Sequence, residues 1–213
     1  MNIKKIALNK YIEFSNYEGS QHIAKEHSIF RVLQLIKKEK PKNILEIGLG
    51  IGTIYSSVRS FSEEINYYGT ETNEFCLNSL KKNLPKHFFS KLRILESVED
   101  ITSNIKFDII IIDGKDENFD NIVNKINDNT IIIIEGDRSD QKNQIRKLFP
   151  LSKHAHVISL KKNNTKGFFD SNHYQGGVRI IYLNPDLNQK ISWLFFKINT
   201  KIKYTIRQIK KIL

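Results

Sequence analysis

Two runs in the middle of the chain, FDIIII at 107–112 and TIIII at 130–134, constrain the fold more than anything else in it. Neither alternates apolar with polar residues, as a strand with one face in water would. Strands that read as near-continuous apolar runs are buried on both faces, and that happens in parallel sheets covered by helices.

The rest of the chain fits this reading. Strand-like segments at 44–47, 65–70 and 92–95 alternate with helix-like segments at 53–61, 73–84, 119–126 and 139–149. Two more strands are expected at 156–160 and 178–183, separated by a long polar loop, as an antiparallel addition at the sheet edge. The spacing of Ile23, His27, Phe30 and Leu33 predicts a helix over 20–40, stopped by Pro41. The expected class is α/β: a doubly wound, mostly parallel, seven-stranded Rossmann-like sheet with helices on both faces. Residues 1–17 are polar and show no clear period, so 1–19 reads as an extension, 20–186 as the domain and 187–213 as a C-terminal amphipathic helix.

A chain of 213 residues suits one domain. Its single cysteine, Cys76, cannot form an internal disulfide, which points to a reducing compartment. The first residues are basic, but Ile6-Ala7-Leu8 is too short for a signal-peptide core, and no apolar segment approaches a membrane span. The expectation is a cytoplasmic protein, with peripheral membrane contact left open. The net charge of +11 would suit a nucleic-acid binder, but its distribution does not. Seven of the 34 Lys and Arg fall in 190–213, where there is no acid, and the remaining 27 nearly balance 23 Asp and Glu.

In doubly wound sheets, ligands sit beyond the carboxyl ends of the strands. Here those ends carry Glu46 to Gly52, Glu71, Glu96-Ser97, Asp113-Gly114 and Glu135 to Asp137. Helix capping explains one or two of these acids, but Glu71 poorly, because Thr72 or Asn73 is the better cap. The stretch NILEIGLGIGT, 43–53, places Gly48, Gly50 and Gly52 at every second position. A dinucleotide fingerprint would need its third glycine at Thr53. A pyrophosphate wants bare amides and a helix N-terminus, and a nearby carboxylate contributes nothing to it. S-adenosylmethionine has no phosphate and carries an ammonium and a sulfonium, so Glu46 is favourable there, directly or through water. Glu71, 23 residues after Gly48, is placed to accept ribose hydroxyls. Glu96 and Ser97 would meet the adenine edge, and Asp113 the reacting centre.

On LEIGLGIGT (45–53), GTET (69–72), LES (95–97), FDIIIIDG (107–114) and IIIIEGD (131–137), the sequence resembles the class I S-adenosylmethionine-dependent methyltransferases over roughly residues 18–184. It looks most like the small-molecule O-methyltransferase branch, in which an IDG motif ends the fourth strand. The resemblance implies S-adenosylmethionine as cofactor, with Glu46, Gly48, Gly50, Gly52, Glu71, Glu96, Ser97 and Asp113 as its binding residues. That branch often holds a divalent metal with acids after the fourth and fifth strands, and the candidates here are Asp113, Glu135 and Asp137. Its typical Asp-Asn pair is Glu135-Gly136 in this chain, and Asp116 stands where related sequences have a His, so the departure argues against a metal. The segment entered through Tyr17 to Gln21 resembles the family element that closes over the methionine end of the cofactor; the plainer alternative is that Ser20 caps a helix.

For a catalytic base the candidates are Asp113 and His156, with His154 and His173 also in the region of acceptor residues. Glu135 to Arg138 would bind acceptor, or Asp137 and Arg138 would pair with each other. The implied reaction is transfer of a methyl group to an oxygen of a small-molecule or glycan acceptor. Two alternatives are a nicotinamide-dependent oxidoreductase on a similar fold and a non-catalytic binding protein. Nucleobase-amine methylation lacks its Asn/Asp-Pro-Pro-aromatic motif, since this chain reads Asp113-Gly114-Lys115-Asp116. In the tail, Ile191, Phe195, Ile198, Ile202, Ile206 (or Thr205), Ile209 and Leu213 form one apolar stripe, with the lysines largely off it. Such a helix suits a membrane interface, or packs on the protein's own surface or a second subunit; nucleic acid comes last.

Overall fold

The computed structural model describes residues 2–102, 104–115, 119–136 and 138–212. Asp116, Asp137 and Leu213 lie outside the described residues. The strands are β1 (Asn43–Ile47), β2 (Asn66–Thr70), β3 (Leu92–Leu95), β4 (Phe107–Ile112), β5 (Ile126–Glu135), β6 (Lys153–Ile158) and β7 (Gly177–Tyr182). The helices are α1 (Ile3–Ser15), α2 (Glu26–Glu39), α3 (Thr53–Phe61), α4 (Glu74–Asn83), α5 (Lys86–Phe89), α6 (Ser139–Leu148) and α7 (Leu187–Ile212). One seven-stranded sheet runs in the order β3-β2-β1-β4-β5-β7-β6. The first five strands are parallel, and β7 is antiparallel to both of its neighbours.

The isoleucine runs sit at the centre of this sheet for the expected reason. Alternate residues point to opposite faces. Ile109, Ile111, Ile131 and Ile133 join the core formed with α1 to α4. Ile110, Ile112, Ile132 and Ile134 join a second core, with Phe119, Ile122 and Ile145 of α6. Each strand therefore needs apolar side chains on both sides.

Three expectations change. Residues 1–17 are not a periodless extension: α1 buries Ala7, Tyr11 and Phe14 in the larger core, and Asn2 caps it by accepting from the Lys4 and Lys5 amides at 3.0 and 3.3 Å. The stripe is weak in the sequence because Ala7 and Tyr11 stand in it with Phe14, among lysines and asparagines. The helix expected over 20–40 begins only at Glu26, with Lys25 at its N-cap. Ser20 instead starts a short 3₁₀ turn whose N-cap is Gly19, at φ +86°. Residues 119–125 also form a 3₁₀ turn where an α-helix was expected.

At the sheet edge, α7 lies along β6. Trp193 Nε1 donates to the His154 carbonyl at 3.0 Å, Thr200 Oγ1 to that of His156 at 2.6 Å, and Lys203 Nζ to that of Ile158 at 3.0 Å. Arg207 Nε continues the series at the Ser159 carbonyl, 3.1 Å away. An open edge strand is a template for unwanted pairing, and α7 covers this one with side-chain donors. Among the described residues, no helix is long and apolar enough to cross a membrane.

Candidate cofactor site at the strand ends

The chain leaves β1 into a loop in which Gly48, Gly50 and Gly52 have φ of +83°, +53° and +92°. Only glycine adopts such angles readily. Space demands it too: a Cβ on Gly48 would fall 2.6 Å from the Gly114 nitrogen, and one on Gly50 would fall 2.6 Å from the His22 carbonyl oxygen. Four of the loop's amides are already engaged. Those of Gly48 and Leu49 donate to the Thr70 carbonyl, both at 3.1 Å, and that of Gly52 to the Leu49 carbonyl at 3.0 Å. The Gly50 amide donates to Glu71 Oε2 at 2.8 Å. Glu71 Oε1 also accepts from the amides of Thr72 at 3.0 Å and Asn73 at 2.9 Å. Glu71 thus ties the turn after β2 to the glycine loop.

Gly48, Gly50, Glu71, Glu96 and Asp113 all line one cavity of about 550 Å³. Its other walls come from Glu135 at the end of β5 and Arg138 beyond it, from Lys115 after β4, from Gln21, His22, Ile23 and Lys25 before α2, and from Phe169 of the β6–β7 loop. Ser28 of α2 fixes Glu135 by donating to its Oε1 at 2.9 Å. The Arg138 guanidinium lies 3.1 Å from Asp113 Oδ1, also donates to the Asp113 carbonyl, and reaches the Glu135 carbonyl through Nε at 3.0 Å. So Arg138 pairs with Asp113.

Four acids, Glu71, Glu96, Asp113 and Glu135, share the cavity wall with Lys25, Lys115 and Arg138. The Asp113 carboxyl is raised to about 8, first by burial and then by Glu135, with Arg138 opposing both. Glu46 lies beneath the loop, 0 % exposed, and does not line the cavity. Its Oε2 accepts from the Tyr67 hydroxyl at 2.6 Å, and its Oε1 has no partner. Burial holds its carboxyl well above the usual range; the Tyr67 hydrogen bond lowers it, and Asp113 and Glu71 raise it. Acids that raise one another's pKa mark a site that gains when a cation enters.

The remaining predicted residues go elsewhere. Gly52 packs behind the loop, where a Cβ would meet Leu80 Cδ2 at 2.7 Å. Ser97 caps a 3₁₀ turn, accepting from the Glu99 amide at 3.2 Å, while its own amide donates to Asp100 at 2.9 Å. His156 is not in the cavity wall: it lies on β6 under α7, with Nδ1 3.2 Å from the Tyr204 hydroxyl. His154, lowered to about 4 mainly by burial, hydrogen-bonds Ser152 at 2.9 Å. His173 is exposed and pairs with Asp170 at 3.0 Å. Lys25 and Phe169 were missed. They meet because Tyr11 of α1 stacks on Phe169 at 6.3 Å and accepts from its amide at 3.2 Å, and Lys25 Nζ lies 4.8 Å from the same ring. Unread periodicity in α1 hid this wall.

A divalent metal does not fit the described residues. No group of three or more His, Cys, Asp or Glu among them is placed to hold one. On Asp113, the acid such a metal would need, the Arg138 guanidinium already sits.

No protein-family model matches the chain, and no curated protein matches it. Solved structures do. A precorrin-6y C5,15-methyltransferase from Geobacter metallireducens GS-15 superposes with a TM-score of 0.57 at 17% identity, over 75% of this chain and 87% of that one. An O-methyltransferase from Bacillus cereus in complex with SAH gives 0.54 at 17%, over 76% and 82%. The SAH-bound Podospora anserina methyltransferase PaMTH1 gives 0.54 at 14%, over 84% and 88%. With its strand order and glycine loop, the chain has the fold of the class I S-adenosylmethionine-dependent methyltransferases.

Proposed function

We propose that the chain binds S-adenosylmethionine and transfers its methyl group to a hydroxyl oxygen of a small-molecule or glycan acceptor. One observation carries the choice of ligand: the loop amides of Gly48, Leu49, Gly50 and Gly52 are already donated within the protein, while the carboxyl groups of Glu71, Glu96, Asp113 and Glu135 line the space above them. A pyrophosphate would find donors consumed and acids in their place; an ammonium and a sulfonium would find acceptors. This argues against the nicotinamide reading. Two of the similar structures hold SAH, which supports the same ligand here.

The fit is specific in places. A carboxylate offers about four lone-pair sites. Three amides use the carboxylate of Glu71, which leaves about one for a ribose hydroxyl. When bound, the cofactor supplies an electrophilic methyl group on its sulfonium. Asp113 then accepts the proton of the acceptor hydroxyl, while Arg138 fixes its orientation. Phe169 offers an apolar face and Lys25 a cation on the wall that the strand ends do not supply, a combination suited to a sugar ring. Holding oxygen, methyl and sulfur in line is worth up to about 7–11 kcal/mol in model reactions.

The first test is a thermal shift. SAH at about a hundredfold excess over its Kd should stabilise by roughly 2.7 kcal/mol, or several °C for a chain of this size. NADH should do nothing, and Glu71→Ala should abolish the SAH shift. A shift with NADH alone would replace this reading with the oxidoreductase. SAH binding without turnover across a panel of hydroxyl acceptors would favour the non-catalytic one.

A further inference from the structure

We propose that the outer face of α7 docks the protein on an anionic lipid bilayer, with the helix lying in the plane of the interface. The helix has two opposed seams. Trp193, Thr200, Lys203 and Arg207 form the inner one, and their donors are used on the carbonyls of β6 and Ser159. The outer one runs through Ile191, Phe195, Ile198, Ile202 and Ile209, which are 60, 61, 52, 55 and 52 % exposed. These five residues of the stripe visible in the sequence thus face away from the domain, while Ile206 is half-buried. At 1.5 Å rise per residue the stripe is roughly 27 Å long.

Charge decides the occupant. At about 100° per residue, Lys190, Lys197 and Lys201 flank the stripe on one side and Lys210 on the other. No acid occurs between residues 190 and 213. In a second copy packed seam to seam, these lysines would take the flanking positions where helix pairs place opposite charges, and they would meet only one another. Anionic headgroups neutralise them while the stripe enters the acyl boundary, the arrangement of basic amphipathic helices at interfaces. Beside the stripe, an apolar cavity of about 540 Å³ opens between α2 and α7. It shares Ile191 and Phe195 with the stripe and carries Lys37 and Lys38 in its wall. An acyl chain below an anionic headgroup matches that pairing of apolar wall and basic rim.

Deleting α7 is the wrong test, because it would bare the edge of β6. The full chain is co-sedimented instead with phosphatidylcholine vesicles, with and without phosphatidylglycerol, at low and high salt. The parent should bind only the phosphatidylglycerol vesicles and release in high salt. Ile198→Asp with Ile202→Asp changes two solvent-facing side chains, so its melting curve should match the parent while binding falls at least about tenfold. Lys201→Glu with Lys210→Glu, a second variant off the stripe, should lose binding as well. Absence of parent binding at low salt, equal binding to both vesicle types, or unchanged binding in both variants overturns the proposal. So does a parent dimer in solution that the Ile198→Asp, Ile202→Asp variant splits into monomers.

Discussion

If the site accepts a cation, its affinity for S-adenosylmethionine must depend on pH through Asp113. In the empty site this carboxyl sits at about 8, raised by burial and then by Glu135, and lowered in part by Arg138. Below that pH the free protein keeps a proton there. A sulfonium favours the ionised form, so binding expels the proton. Linkage then gives an apparent affinity that rises about tenfold per pH unit below pH ~8 and levels off above it. From about pH 6 to about pH 9 the gain is roughly 90-fold, or about 2.7 kcal/mol. Calorimetry in buffers of different ionisation enthalpy reads both the affinity and the proton released. SAH lacks the sulfonium and should show a shallower slope. Asp113→Asn should bind S-adenosylmethionine with no slope over this range. Equal affinity at both ends of the range, or a slope that survives in Asp113→Asn, would refute a cation-accepting carboxylate at this position.

Four further outcomes follow from the same geometry. Gly48→Ala and Gly136→Ala both force a positive φ, +83° and +73°, on a side chain, at roughly 1–2 kcal/mol each. A Cβ at Gly136 meets nothing within 4 Å, whereas one at Gly48 meets Gly114 backbone, so Gly48→Ala should lower the melting temperature at least twice as far. For Glu46, burial holds the native carboxyl protonated well above the ordinary range. Stability should therefore fall as pH rises above the ordinary carboxylate pKa, and Glu46→Gln should melt higher than the parent near pH 8, with the gap closing toward pH 5; a lower melting point there would contradict a neutral Glu46. Arg138→Met removes what lowers Asp113, so the pH profile of methyl transfer should move to higher pH, with Arg138→Lys restoring part of the shift. Chelators should leave the parent's cofactor affinity unchanged.

The parallel core was legible because its chemistry is local. Each strand buried on both faces must be apolar along its buried length, so 109–112 and 131–134 announce themselves, and β3 and α3 begin and end where their apolar patterns do. The carboxylates at the strand ends were legible for the same reason. Three things were not. The stripe of α1 is carried by Ala7, Tyr11 and Phe14 among lysines and asparagines, so its amphipathicity is weak. Lys25 and Phe169 reach the cavity from segments 144 residues apart, and nothing local to either says that Tyr11 brings them together. Glu46 and Glu71 look alike as acids ending neighbouring strands. Yet Glu46 faces the helices beneath the loop, while Glu71 lies one residue past its strand and turns back to the loop.

That last difference bears on how glycine loops are read in general. The same G-x-G spacing serves phosphate binders and sulfonium binders, and the glycines permit the turn in both. What separates them is where the amides go. In this chain Thr70 takes two of them and Glu71 takes a third. The carboxylate that would meet the ribose is therefore also the group that withdraws a donor from any phosphate. Replacing Glu71 with alanine should cost the ribose contact and at the same time free the Gly50 amide. The variant should lose S-adenosylmethionine and gain a weak affinity for inorganic phosphate at the loop, measurable by phosphate-induced amide shifts of Gly50 in NMR. A Gly50 amide that stays insensitive to phosphate in that variant would show that the loop is shaped against phosphate by its own backbone, without Glu71.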